Sequence, residues 1–211
     1  MPLRSAIATS ILGLGLLVAR VFWTHEGAFV FLVWNLFLAW LPLGFAVVAY
    51  AAHHHRAPSV VVVALFVPWL AFLPNAPYLV SDLIHLGNPH RVPLWYDALM
   101  LASFAWSGVA AGVLSLRVAA QVARERAGAN AARTLVLGSC ALAGYGIYLG
   151  RFARLNSWDV LARPEVVLAT MARSWTSAHL LSPVITVTVG FAAFFLAAYG
   201  IVPRRAPAHG R

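Results

Sequence analysis

The stretch Phe72 to Leu86 reads FLPNAPYLVSDLIHL. It lies among apolar segments long enough to cross a bilayer, yet it holds two prolines, an asparagine, an aspartate and a histidine. Asn75 is placed as an N-cap, Pro77 suits a first helical turn, and Gly87 suits a C-terminal cap before Asn88 and Pro89. The spacing therefore predicts a short helix over Ala76 to Leu86, about 16 Å long at 1.5 Å per residue. Such a helix cannot cross a hydrocarbon layer of about 30 Å. Leu79, Leu83 and Leu86 share one of its faces, while Tyr78, Asp82 and His85 share another. A helix divided in this way is expected to lie at the interface or to re-enter the membrane, with its polar face toward a cavity.

The rest of the chain sets the class. Of 211 residues, 62% are hydrophobic and 10% charged, with a mean hydropathy of +0.81; soluble proteins carry about 25% charged residues. The composition excludes an ordinary soluble domain and predicts an all-α, polytopic membrane protein. Apolar runs place helices over Ala6 to Trp23, Ala28 to Ala52, Ser59 to Leu73, Asp97 to Leu116, Thr134 to Phe152 and Leu181 to Tyr199. About six transmembrane helices and two short interfacial or re-entrant ones result. They form a single bundle over residues 1–203, followed by a basic cytoplasmic tail, 204–211, expected to be disordered. The one cysteine, Cys140, sits inside a span and reads as a small buried hydrophobe.

All 15 basic residues are arginines, against six acidic ones. They stand at span ends, as topology and phosphate contacts require, and not in a nucleic-acid-binding patch. A cytoplasmic N-terminus puts nine inside (Arg4, Arg56, Arg117, Arg124, Arg126, Arg133, Arg204, Arg205, Arg211) and six outside (Arg20, Arg91, Arg151, Arg154, Arg163, Arg173). Arg20 is expected to snorkel. Both termini are then cytoplasmic, and the segments 74–96 and 151–180 emerge on one face. Gly108 and Gly112, and likewise Gly146 and Gly150, have the small-xxx-small spacing that lets membrane helices approach closely.

The second of these segments opens with RFARLNSWD, residues 151–159. Tyr148, Arg151 and Arg154 fall on one helical face, and two arginines a turn apart can fork a phosphate or carboxylate. Asn156 and Asp159 have the spacing of a capping box. A second short helix is expected from Pro164 to Trp175, with Val167, Met171 and Trp175 on its apolar side. The run His53, His54, His55 reads as a solvated turn, with no acid near it in sequence.

FLPNAPYLVSDLIHL, the following WYD (residues 95–97) and RFARLNSWDV together resemble an uncharacterised bacterial membrane-protein family, domain of unknown function 1361. The resemblance covers roughly Asn35 to Gly200 and implies a small multi-pass inner-membrane protein. It implies no reaction.

From the residues themselves, an outer-face polar pocket is expected to bind or process an anionic lipid or lipid-linked substrate. Asp82, His85 and Asp159 are the candidates for acid-base chemistry. Asn75, Tyr78, Asp97, Arg151, Arg154 and Asn156 are the candidates for binding. Asp82 and His85, at i and i+3, are also the pair that can hold a divalent metal. The bilayer and an anionic headgroup or phosphate are the expected partners. A non-catalytic assembly subunit and a small-anion permease are the competing functions. No hydrolase, zinc-protease, phosphate-loop or dinucleotide signature is present.

Overall fold

The computed structural model describes residues 2–87 and 92–201. Asn88, Pro89, Arg91 and the basic tail 204–211 lie outside the described residues. Helices are α1 (Pro2–Thr24), α2 (Phe31–His54), α3 (Ser59–Phe72), α4 (Asn75–Ser81), a 3-10 turn (Asp82–Gly87), α5 (Leu94–Arg151), α6 (Asp159–Ala162), α7 (Pro164–Thr176) and α8 (Ala178–Ile201). Five helical stretches are long and apolar enough to cross a membrane: Leu3–Thr24, Phe31–His54, Ser59–Leu86, Leu94–Arg151 and Ala178–Ile201. The chain is thus an all-α polytopic membrane protein.

The organising element is α5. Its 58 residues would extend about 87 Å if straight, nearly three bilayers. One residue, Gly128, departs from helical geometry, with φ 87° and ψ −179°. Two contacts show what this does. Gly108 lies against the Ala76 carbonyl and the Leu79 side chain, and Gly146 lies against the Pro74 ring. In a straight helix these glycines would be about 57 Å apart, yet both touch the same two turns around α4. The chain therefore reverses at Gly128, and α5 is a hairpin whose arms each cross the bundle. Val109, Val113 and Leu116 on the first arm join Val136, Cys140 and Ala143 on the second in one core, closed by Trp69 of α3 and Phe195 of α8.

The hairpin corrects the expected loop over Arg117 to Arg133. Apart from Gly128 that segment is helical, because AAQVARERAGANAART is built almost entirely of good helix formers. The two arms simply outrun the apolar runs that mark the spans.

The opening stretch also differs from expectation. Asn75 is no N-cap: α4 follows Pro74, which is itself in helical conformation, and no side chain caps it. The Asn75 amide donates instead to the Phe72 carbonyl, at 2.9 Å. Nor is Ala76 to Leu86 one helix. After Ser81 the chain tightens into 3-10 geometry, which advances each residue further around the axis and shifts the faces out of phase. Leu79 is fully buried, while Leu83 and Ile84 are exposed. The polar Asp82 is 1% exposed and Ile84 66%, the order expected where lipid is the solvent and charge turns inward. Both α4 and the turn pack against α5, so this segment continues α3 into the bundle and does not lie flat on its surface.

Arg20 is corrected as well. It does not snorkel; it is 2% exposed and its Nε donates to Asp97 Oδ1 at 2.7 Å.

Candidate functional site

Three segments distant in sequence converge at the end of the bundle where α2 and α5 begin. Asp82 accepts from Arg151 Nη2 and from Asn35 Nδ2, at 3.1 Å. Arg151 also donates from Nε and Nη2 to Ser81 Oγ, at 3.0 and 2.7 Å. Its guanidinium lies over the Tyr78 ring, 4.5 Å from the centroid. Gly150 leaves room for that ring. Asn35 and Tyr78 also line a cavity of about 340 Å³, so the Asp82–Arg151 pair stands directly behind its wall.

The cavity is walled by Trp34, Asn35 and Leu38 of α2, by Ala71, Pro74, Asn75 and Tyr78, and by Gly146, Leu149 and Gly150 of the second α5 arm. Arg154, Leu155, Asn156, Ser157, Trp158 and Val160 close it, with Val167 of α7. Asn75 Nδ2 bridges the two motifs by donating to Ser157 Oγ at 2.9 Å. The Trp34 and Trp158 rings meet edge to face, with centroids 6.2 Å apart. No carboxylate lines the cavity among the described residues.

The two arginines do not form the expected clamp. Arg151 is the last residue of α5 and is held by Asp82 and Ser81. Arg154, three residues on, has left the helix with φ 57°, a conformation that turns its side chain away from the helical face. It is exposed, lines the cavity, and makes no hydrogen bond or ion pair with another described residue.

The remaining candidates divide. Asn75, Tyr78, Arg154 and Asn156 line the cavity. Asp159 does not. Its Oδ2 accepts from the Asn156 backbone N–H at 2.7 Å and its Oδ1 from Arg163 Nη2 at 2.8 Å. The Asn156 N–H, and after it the Arg163 guanidinium, holds the Asp159 carboxyl below its usual range. The pair has capping-box spacing but caps no helix, because α6 begins at Asp159 with Trp158 before it; the acid reaches back to fix the chain that enters α6. Asp97 belongs to the buried pair with Arg20. His85 turns its ring edge toward Phe31, with centroids 5.3 Å apart, and no hydrogen bond links it to Asp82 among the described residues. Both Asp82 oxygens already have partners, so a metal shared with His85 would first have to displace Arg151 or Asn35.

A different set of ligand types gathers at the opposite end. His53, His54 and Glu125 bring one donor atom each within 4.8 Å of one another, so the acid absent from the histidines' neighbourhood in sequence is supplied by the fold. Arg126 Nε donates to His53 Nδ1 at 2.9 Å. The proton of a neutral His53 must then sit on Nε2, 3.0 Å from Glu125 Oε2. Arg126 further holds Ser59 Oγ at 2.8 Å. The group is a staple that ties α2 and α3 to the α5 turn.

Sequence reasoning missed Asn35, Trp34 and any role for Ser157. The available signal for Asn35 was a lone amide inside the apolar run FLVWNLFLAW.

No match to the chain was found among curated proteins or among solved structures. Residues 34–197 match the family model described as Protein of unknown function (DUF1361), and that span begins at the cavity's Trp34 and takes in every residue lining it. The chain belongs to the DUF1361 family.

Proposed function

We propose that the protein binds the anionic headgroup of a membrane lipid or lipid-linked molecule in the cavity between α2, α4 and the second arm of α5, at the outer face of the cytoplasmic membrane. The observation that carries this reading is Arg154. It is the one cationic side chain lining the cavity among the described residues, no carboxylate faces it there, and Arg151 is already neutralised. A guanidinium without a partner among the described residues, at a polar mouth, suits a phosphate or carboxylate. Leu38, Ala71, Leu149 and Val167 offer an apolar wall for the chain that such a headgroup carries.

The test is lipid retention by purified protein, read by native mass spectrometry from discs of neutral phosphatidylcholine doped with an anionic phospholipid. Enrichment of the anionic lipid by wild type, and its loss in Arg154→Gln, are expected. Equal retention of neutral and anionic lipid by wild type refutes the reading. A second reading, a non-catalytic assembly subunit, is favoured by the way Asp82, Arg151, Asn75 and Ser157 pin the two motifs to each other.

A further inference from the structure

The hydrogen-bond polarity of the cavity narrows what its occupant must be. A carboxylate can only accept, so the bond from Asn35 to Asp82 fixes the Asn35 NH2 group on Asp82. A backbone carbonyl can only accept, so the bond to Phe72 fixes the Asn75 NH2 group in the same manner, and its other hydrogen bond goes to Ser157. Asn75 therefore has both of its N–H donors engaged and Asn35 one of its two, and each amide presents its carbonyl oxygen as an acceptor available to a ligand. Neither oxygen accepts a hydrogen bond from a described residue. Ser157 Oγ, by accepting from Asn75, keeps its own hydrogen to donate.

The cavity thus offers donors at Arg154, Ser157 and the second Asn35 N–H, acceptors at the Asn35 and Asn75 carbonyls, and two indoles at Trp34 and Trp158. A bare phosphate fits only the donors. From this we infer that the ligand is a phosphate ester whose headgroup carries free hydroxyls, a polyol or sugar phosphate, with hydroxyls donating to the two asparagines and C–H faces against the tryptophans. The inference rests on the anion-binding reading above and adds hydroxyl recognition to it.

The experiment uses two lipids of equal charge, phosphatidylglycerol and phosphatidylmethanol, each doped into phosphatidylcholine discs with the full-length protein. Both are phosphodiester anions, and only the first bears hydroxyls. Two added hydrogen bonds of ordinary strength predict retention of phosphatidylglycerol at least about tenfold stronger. Arg154→Gln should weaken both lipids together and leave their ratio, whereas Asn35→Leu and Asn75→Leu should bring the ratio toward one. If those two fail to fold, the wild-type ratio alone decides hydroxyl recognition, and Ser157→Ala should lower retention of both lipids. Equal retention of the two anionic lipids by wild type overturns hydroxyl recognition and leaves anion binding intact. Retention of neither above phosphatidylcholine overturns anion binding itself. Glycerol 1-phosphate added as competitor separates the sources: displacement of phosphatidylglycerol supports a soluble polyol phosphate, and persistence supports a lipid headgroup.

Discussion

At the scale of single residues, the three buried aspartates, Asp82, Asp97 and Asp159, are each paired with an arginine. Asp82 and Arg151 are 69 positions apart, and their side chains are 1% and 15% exposed. Removing one member of a buried pair leaves the other uncompensated, at a cost of about 3–5 kcal/mol, whereas replacing both with apolar residues is often neutral. Asp82→Ala should therefore destabilise strongly, and Asp82→Leu with Arg151→Met should recover most of the loss, as read by denaturation in detergent. Equal losses in the single and double variants would contradict this account of the pair. Asp159 is equally buried, but it is held by a backbone N–H as well as by an arginine. Its folded pKa lies below the ordinary carboxylate value, so its contribution is complete above that value and disappears as pH falls through the folded pKa. Asp159→Asn imitates the acid form, and faster amide hydrogen exchange at Asn156 near neutral pH is the expected consequence. The polar residues were visible in sequence because such residues are rare beside spans. Their partners were visible only in part: Arg151 was one of the cations that could neutralise Asp82, but nothing local in the chain relates Arg20 to Asp97 across 77 positions.

At the scale of elements, hydropathy located the spans but could not separate a helical hairpin from two helices and a loop. The arms of α5 continue past the apolar runs as polar, alanine-rich helix, and the reversal depends on the one residue with φ 87° and ψ −179°. That region is essentially restricted to glycine, and other residues held there incur about 1–3 kcal/mol. No atom stands within 4 Å of the position a Gly128 Cβ would take, so Gly128→Ala should lose stability through backbone strain alone. Gly138→Ala provides the control, since it is equally uncrowded but helical, and it should be neutral or stabilising by up to about 1 kcal/mol. Gly108→Ala should be worse than either, because its Cβ would collide with the Ala76 carbonyl of α4. Thermal denaturation of the three variants ranks them. The small-xxx-small spacing made Gly108 and Gly146 legible as close approaches, but not that both approach one short helix. The faces of Phe72 to Leu86 were misread for a related reason: a change from α to 3-10 geometry at Asp82 leaves no mark in residue pattern, and it moves Leu83 and Ile84 to the surface.

At the scale of the whole molecule, the hairpin fixes which parts share an end. Its Gly128 turn lies with His53 and Arg126 at one end, and Arg151 to Arg163 lie with Asp82 at the other. Orientation then rests on the arginines. Arg20, buried against Asp97, no longer counts as a loop cation, which among the described residues leaves four at the cavity end (Arg151, Arg154, Arg163, Arg173) against six at the turn end (Arg4, Arg56, Arg117, Arg124, Arg126, Arg133). That bias favours a cytoplasmic turn, and in the orientation proposed above the cavity faces outward. Single cysteines in a Cys140→Ala background test this directly, because Asn130 beside the turn and Ala162 near the cavity are both exposed. A membrane-impermeant maleimide should label Ala162→Cys in intact cells and Asn130→Cys only after permeabilisation. The reverse pattern would invert the protein and place the cavity on the cytoplasmic side. Labelling of both from outside would mean that the second arm of α5 does not cross the membrane, and with it the convergence of the two motifs on one face would fail.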